Sequence, residues 1–412
     1  MSSSLPHNLI RKQFPALKQT INDKTPLFFD GPGGTQMPLK VIEAIQEYLF
    51  KGNSNLGGHF EVSKQTVDLV ENARHHAAIF LGAASEREIV FGANMTSLTL
   101  HFSRSISRDW KAGDEIILTE LDHGANRSPW ELVAAERGVI VKYLKINGQE
   151  CSIDLDQMKS MLSNKTKLVA VTAASNVAGT FVDITKVVEH GHAVGALVFI
   201  DAVHLLPHQR VNVQEIGCDF LASSSYKFFG PHLGLMYGRL ELLESLVPYK
   251  VAPAPKLSPG KWETGTQSFE ALAGFIASIE YLASLGEGDD LNQQLTSGYE
   301  MLNNIESELS ELFLKELETI NGVHLIGLPL ARGVNGRTAT FALTFDKHTP
   351  EEVAMALGRE QIFVWNGHMY ADKLIETLGL KDSGGVLRVG LTHYNTIEEI
   401  HLFFEVLKKI LH

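Results

Sequence analysis

Between about Glu88 and Tyr237, short apolar, β-branched runs alternate with stretches whose apolar positions recur at helical spacing. The runs read EIVFG, EIILTE, VIVKYLK, KLVAVTAAS, ALVFIDA, FLASSS and GLMYG. Alternation of this kind predicts a mostly parallel sheet, here of seven strands, covered by helices on both faces. SIDLDQMKSMLS and DITKVVEHGHAVG each open on a capping-type residue before their apolar positions repeat, so they are predicted as crossover helices. Beyond Gly286 the pattern changes. A long polar helical segment, LNQQLTSGYEMLNNIESELSELFLKELETI, leads into strands VHLIGLP, TATFALTF and VLRVGL. TPEEVAMALGREQ, YADKLIETLGL and TIEEIHLFFEVLKKILH read as helices packed on one side of that smaller sheet. The expected class is α/β: an N-terminal segment over 1–30 that packs with the small domain, a large domain over 31–286, and a smaller C-terminal α+β domain over 287–412.

A length of 412 residues, against roughly 150 for an average domain, agrees with that division. Hydrophobic residues at 44% and charged residues at 20% are those of a globular chain and exclude broad disorder. A formal charge of −12 speaks against a nucleic-acid partner, which would want a basic face. No apolar run approaches the roughly 18 residues that span a bilayer, and the start lacks a basic region leading into an apolar stretch. No membrane contact and a cytoplasmic location are therefore expected. Cys151 and Cys218 make no CxxC spacing and read as free thiols. The histidine pairs in ARHHA and EHGHA bring no matching acids or thiolates, so no metal site is expected.

Candidate chemistry begins with Asp201, which ends the apolar run ALVFIDA. Ligands of α/β sheets collect at the C-terminal ends of strands, although a strand-end aspartate also serves as a helix cap. Lys227 follows 26 positions later in SSSYKFFGPHLG, among small and apolar residues that give a lysine no solvated role. A desolvated lysine amine is the usual imine-forming nucleophile. An aspartate for a pyridinium nitrogen and a lysine for an imine are together what pyridoxal phosphate requires.

Over nearly its whole length the chain resembles the class V aminotransferase group of pyridoxal-phosphate enzymes, in its cysteine desulfurase and selenocysteine lyase branch. The resemblance implies the fold type I architecture, a homodimer with active sites shared between subunits, and an amino-acid substrate. It gives catalytic roles to Lys227, His123 and Asp201. In FGANMTSLTL, Asn94, Met95 and Thr96 match the turn that cradles the cofactor phosphate, an arrangement a helix N-terminus favours; otherwise this is an ordinary strand-turn-helix with a threonine cap. His123, in LTELDHGANRSPW, matches the imidazole laid on the pyridine ring. Asn176 and His204 match the contacts of the phenolic oxygen, with His204 where the family usually has glutamine. Ser224 and Tyr226 match phosphate ligands, Tyr226 in place of a histidine. Thr266, in WETGTQS, matches the threonine that reaches the phosphate of the neighbouring subunit. Arg388, in VLRVGLTHYNT, matches the grip on the substrate carboxylate, which a guanidinium meets bidentately. His59 lies on a matching substrate-side loop, where Gly57 and Gly58 replace arginine and glycine.

One departure redirects the expected reaction. A desulfurase takes the substrate sulfur on a cysteine thiolate, and at the matching position, in VWNGHMYADKL, this chain has Tyr370. The expectation is a lyase that breaks a Cβ–sulfur or Cβ–selenium bond by β-elimination, which needs no protein thiol. Transamination or epimerisation is the alternative, and a non-catalytic cofactor-binding relative a further one. Trp365, Tyr370 and His59 would shape the mouth around the substrate side chain.

Overall fold

The computed structural model describes residues 7–412. Among the described residues fifteen strands follow one another. They are β1 (Leu27–Phe28), β2 (Ile89–Gly92), β3 (Glu115–Thr119), β4 (Ile140–Leu144), β5 (Ile146–Asn147), β6 (Ser152–Ile153), β7 (Thr166–Thr172) and β8 (Leu197–Asp201). There follow β9 (Phe220–Ser224), β10 (Gly234–Gly238), β11 (Val323–Ile326), β12 (Thr340–Phe345), β13 (Ile362–Phe363), β14 (Trp365–Gly367) and β15 (Val386–Gly390). Seven of them form the large sheet in the order β2-β10-β9-β8-β7-β3-β4. All seven of the predicted runs lie in it. Only β10 runs against its neighbours, pairing antiparallel with both β2 and β9.

The period-2 alternation of side chains explains why such apolar runs suit this sheet. Ile116, Leu118 and Phe199 point into a core with the helices Met95–Ile106 and Gly124–Arg137, through Phe102 and Trp130. Ile117, Val198 and Ile200 point to the other face, where Phe80, Val187 and Phe275 cover them. The helix Phe269–Ala283 is buried nearly all round, as its continuous apolar sequence demands.

The smaller sheet is antiparallel throughout, in the order β11-β12-β15-β14. Phe341, Leu343, Leu387 and Val389 meet Phe313, Phe403 and Phe404 on its covered face. Its helices Pro350–Arg359 and Ile397–Leu411 each start on a complete capping box, Thr349 with Glu352 and Thr396 with Glu399. β14 was not expected: the Trp365 region reads as loop because three residues are too short to show alternation.

Two segments cross between the units. The helix Leu291–Leu317 places Leu295, Tyr299 and Leu302 in the large core but Leu309, Phe313 and Leu314 in the small one. The N-terminal segment divides likewise, Ile10 and Phe14 joining the large core while Leu27 and Phe29 join the small one, where β1 pairs with β13. Among the described residues no helix is long and apolar enough to cross a membrane.

A polar seam also joins the units near Arg337. Phe181 donates its N–H to Gly336 and Thr338 its own to Gly179, both at 2.9 Å. The buried Arg337 guanidinium donates to the carbonyls of Ala178, Leu328, Thr338 and Thr340. Burial depresses its pKa to about 9, so it stays charged near neutrality. Arg337→Met keeps the apolar stem but strands these carbonyls, and each unpaired buried group costs about 1–3 kcal/mol. Urea denaturation is expected to show a loss of about 3 kcal/mol; a loss under about 0.5 kcal/mol would mean that the seam contributes nothing to stability.

Candidate active site

Asp201 and Lys227 reach one space because β8 and β9 are parallel neighbours, with Asp201 opposite Ala222. Asp201 closes β8. Lys227 closes the 3-10 turn Ser225–Lys227 that follows β9. The Asp201 Oδ1 accepts the Val203 N–H at 2.9 Å. Burial lifts its pKa to about 6, against the pull of Val203 and Lys227. Burial also lowers Lys227 to about 7, helped by the Arg388 charge and opposed by Asp201. Its Nζ donates to the Pro32 carbonyl and lies 4.9 Å from the centre of the Tyr226 ring. Among the described residues no ion pair joins the amine to the acid, so each keeps its charge available to a third party.

Arg388 enters from β15 of the small unit and donates to the Asn176 carbonyl at 2.8 Å. Burial pulls it to about 10, and burial raises nearby Asp30 to about 6. The Asn176 side chain donates to the Met369 carbonyl at 2.9 Å. Arg388 Nε, Asn176 Oδ1 and Asp30 Oδ1 are all buried without a hydrogen-bond partner. Buried polar groups are almost always paired, so three orphans around one lysine and one acid mark a place that receives a polar ligand.

The anion end forms where β2 meets the helix Met95–Ile106. Asn94, not the threonine, caps that helix, taking the Ser97 N–H at 2.9 Å, because it is Asn94 that keeps extended backbone before the first turn. The Met95 N–H reaches Ser224 Oγ at 2.9 Å, so the helix start and the turn before the lysine are tied together. Thr96 is exposed. Gly234 on β10 makes the approach feasible, since a Cβ there would fall 2.5 Å from the Asn94 backbone. Tyr226 stacks on His232 at 4.8 Å.

His123 caps the helix Gly124–Arg137 through Nδ1, which accepts the Ala125 N–H at 2.9 Å. Burial and the charges of Lys227 and Arg388 depress its pKa to about 4, so its ring is neutral. Tyr370 stacks on it, with centroids 5.5 Å apart and planes inclined by 29°. Tyr370 is 71% exposed and has a φ of 56°, beside Met369 at 51°. Gly124 N–H to the Tyr370 carbonyl, at 2.7 Å, and Tyr370 N–H to His368 Nδ1, at 3.0 Å, hold this unusual turn. His204 is buried with Nε2 between the hydroxyls of Thr340 and Thr338, at 3.0 and 3.2 Å. His59 and Thr266 are exposed on their loops, and no hydrogen bond, ion pair or ring contact brings either to the other site residues of this chain.

Sequence reasoning passed over the turn Asp30–Thr35. It supplies the Pro32 carbonyl to Lys227, and its Gly33 lies under Trp365 so closely that a Cβ would fall 2.3 Å from the indole Nε1. The signal was present as GPGG directly after FFD. Asp122 was passed over too, a buried acid held by Thr119 and Asn126, which burial raises to about 7. The lysine, the acid and the helix-start cradle fit pyridoxal phosphate, and of the orphaned groups the Arg388 Nε–H fits a substrate carboxylate while Asn176 Oδ1 and Asp30 Oδ1, both acceptors, fit a donor such as a substrate ammonium.

Comparison with known proteins agrees. The model of the family "Aminotransferase class-V" matches residues 27–403. The probable cysteine desulfurase 1 of Mycobacterium leprae is 32% identical over 409 residues, 97% of this chain, and the chain spans only 64% of that relative's length. A probable cysteine desulfurase of Synechocystis sp. is 32% identical over 418 residues, covering 97% of this chain and 94% of the relative. The solved cysteine desulfurase CsdA of Escherichia coli superposes with a TM-score of 0.85 at 25% identity, over 99% of this chain and 98% of that one. The apo cysteine desulfurase of Thermococcus onnurineus shares the fold, with a TM-score of 0.87 at 24% identity over 100% and 99% of the two chains. The chain belongs to the class V aminotransferase family of pyridoxal-phosphate enzymes, in the fold type I architecture.

Proposed function

We propose that the protein cleaves the Cβ–sulfur, or Cβ–selenium, bond of a cysteine-like amino acid by β-elimination. The observation that carries this reading is the absence of a usable thiol. Cys151 and Cys218 are the only cysteines, both are buried, and burial pushes their thiols upward, Cys151 to about 12. A sulfur-accepting thiolate needs the opposite environment. The loop above His123 offers Tyr370 instead.

Bound here, pyridoxal phosphate supplies an electron sink for the charge that develops at the substrate Cα. Arg388 grips the substrate carboxylate. Lys227, half neutral at about pH 7, is suited to take the Cα proton. Asp201 holds the ring-nitrogen end of the cofactor and neutral His123 covers its face. Asn176 and His204 serve its phenolic oxygen, and Asn94, Met95, Thr96, Ser224 and Tyr226 its phosphate. Thr266 and His59 lie apart from these groups within one chain, which supports a homodimer in which they complete the site of the second copy. Tyr370 stands over the substrate side and donates a proton to the departing sulfur. The sum is R–S–CH2–CH(NH3+)–COO− plus water giving R–SH, pyruvate and ammonium.

Incubation with L-cysteine, cystine or selenocysteine is expected to give pyruvate matching the released thiol or selenol product, and L-alanine, which has no leaving group on Cβ, to give none. Alanine in place of pyruvate would overturn elimination in favour of sulfur transfer, and racemised alanine would favour epimerisation. A spectral shift to the pyridoxamine form would favour transamination, and no spectral response a binding relative. A second measurement addresses the lysine. Reductive labelling of the cofactor-free chain with pyridoxal phosphate and borohydride should mark Lys227 with a midpoint near pH 7, since the amine is protonated below it and nucleophilic above. Peptide mapping that finds the label elsewhere, or a midpoint near the ordinary lysine value of about 10, would remove Lys227 from its role.

A further inference from the structure

His204 sits three residues beyond Asp201 in the large unit, yet its two hydrogen-bond partners belong to the small one. It is 3% exposed, and Nε2 lies 3.0 Å from Thr340 Oγ1 and 3.2 Å from Thr338 Oγ1. Burial, with the charges of His208, Arg388 and Lys227 acting the same way, keeps the ring neutral. A neutral imidazole has one N–H and one bare nitrogen, and a hydroxyl both donates and accepts. The threonine pair therefore satisfies Nε2 in either tautomer, and the choice between them decides whether the opposite nitrogen offers a proton or a lone pair. Among the described residues no hydrogen bond engages that opposite nitrogen.

The ring is braced from behind. His208 meets it with centroids 5.5 Å apart and planes inclined by 69°, and the His208 Nδ1 is itself 2.6 Å from Glu306 Oε2, both residues buried. His204 thus has little freedom to turn, and its hydrogen bonding follows the hydroxyls. One of those hydroxyls, on Thr340, stands in the same ladder as the carboxylate grip, and Thr338 lies two residues before it. Thr340 pairs with Gly390 and Ala342 with Arg388 in the β12–β15 register, so Thr340 stands two residues along from Arg388's partner, roughly 7 Å.

We propose that this ladder makes His204 a positioning residue that couples carboxylate binding at Arg388 to the hydrogen bond offered to the cofactor. Movement of Arg388 onto a carboxylate shifts β15 and β12 together and alters how Thr338 and Thr340 meet Nε2. The coupling rests on the reading above, that pyridoxal phosphate binds with His204 at its phenolic oxygen. It gives the site a means of changing the cofactor's environment only once an amino acid is engaged. Glutamine, which the family resemblance leads one to expect here, carries its acceptor and its donor on separate atoms, whereas each imidazole nitrogen changes role with the tautomer.

The test uses holoenzyme and propionate, a carboxylate with no amine to react. In the parent protein propionate is expected to change the ratio of the cofactor's two visible bands in a saturable way. In the Thr338→Val/Thr340→Val variant, propionate should bind within twofold of the parent affinity, read by tryptophan fluorescence, while the band change falls at least threefold. Returning one hydroxyl, in Thr338→Val/Thr340→Ser, should restore the response. A full response in the double valine variant, or none in the parent, overturns the coupling; a surviving response would run through Asn176, which Arg388 also touches. Should the valine variant not fold, nitrogen-15 shifts of the His204 ring in the parent decide, since propionate must move them. A purified parent that shows no visible band after reconstitution sinks the cofactor reading itself rather than the coupling.

Discussion

Three ionisable side chains, the partly buried Lys227 and the buried Asp201 and Arg388, share one space with no ion pair between them, and the rest of the site depends on how that is tolerated. An unpaired buried charge costs several kcal/mol, and here the cost shows as a lysine drawn to about 7 and an acid raised to about 6. The chain supports them with backbone groups, Pro32 for the amine and Val203 for the carboxylate. Those partners hold position without neutralising charge, which leaves both groups free to meet a cofactor that has its own cationic ring and aldehyde. The large sheet makes this feasible, because the two side chains come off the ends of adjacent parallel strands that are buried and mostly apolar.

The same economy applies to Tyr370. Its loop is fastened by Gly124, Asn176 and His368 through main-chain and side-chain bonds. A sulfur carrier must swing between substrate and acceptor, whereas this turn is tied at both residues preceding the helix Asp372–Thr377. A turn tied down in this way is consistent with the elimination proposed above, which needs no carrier to move.

Much of this was legible in the sequence. The seven runs carry the large sheet because strands buried on both faces are written as unbroken apolar stretches, and Asp201 and Lys227 stand out as polar residues where such stretches end. What stayed hidden was set by tertiary contact. β14 is too short to show a period, and its pairing with β15 is decided by Arg388 and its neighbours. The turn Asp30–Thr35 bears on the site through a main-chain carbonyl, which no side-chain pattern reports. The Asn94 cap depends on where extended backbone gives way to helix, and boundaries of that kind are the least legible feature of any sequence. Among the described residues no hydrogen bond, ion pair or ring contact joins His59 or Thr266 to the other site residues, so one chain does not place them.

The helix Leu291–Leu317 has one end in each hydrophobic core. Cutting the chain at either end of it would strip one core of leucines and phenylalanines that nothing else supplies. The two lobes are thus not interchangeable modules, since exchanging either would mean rebuilding the beam that runs through both.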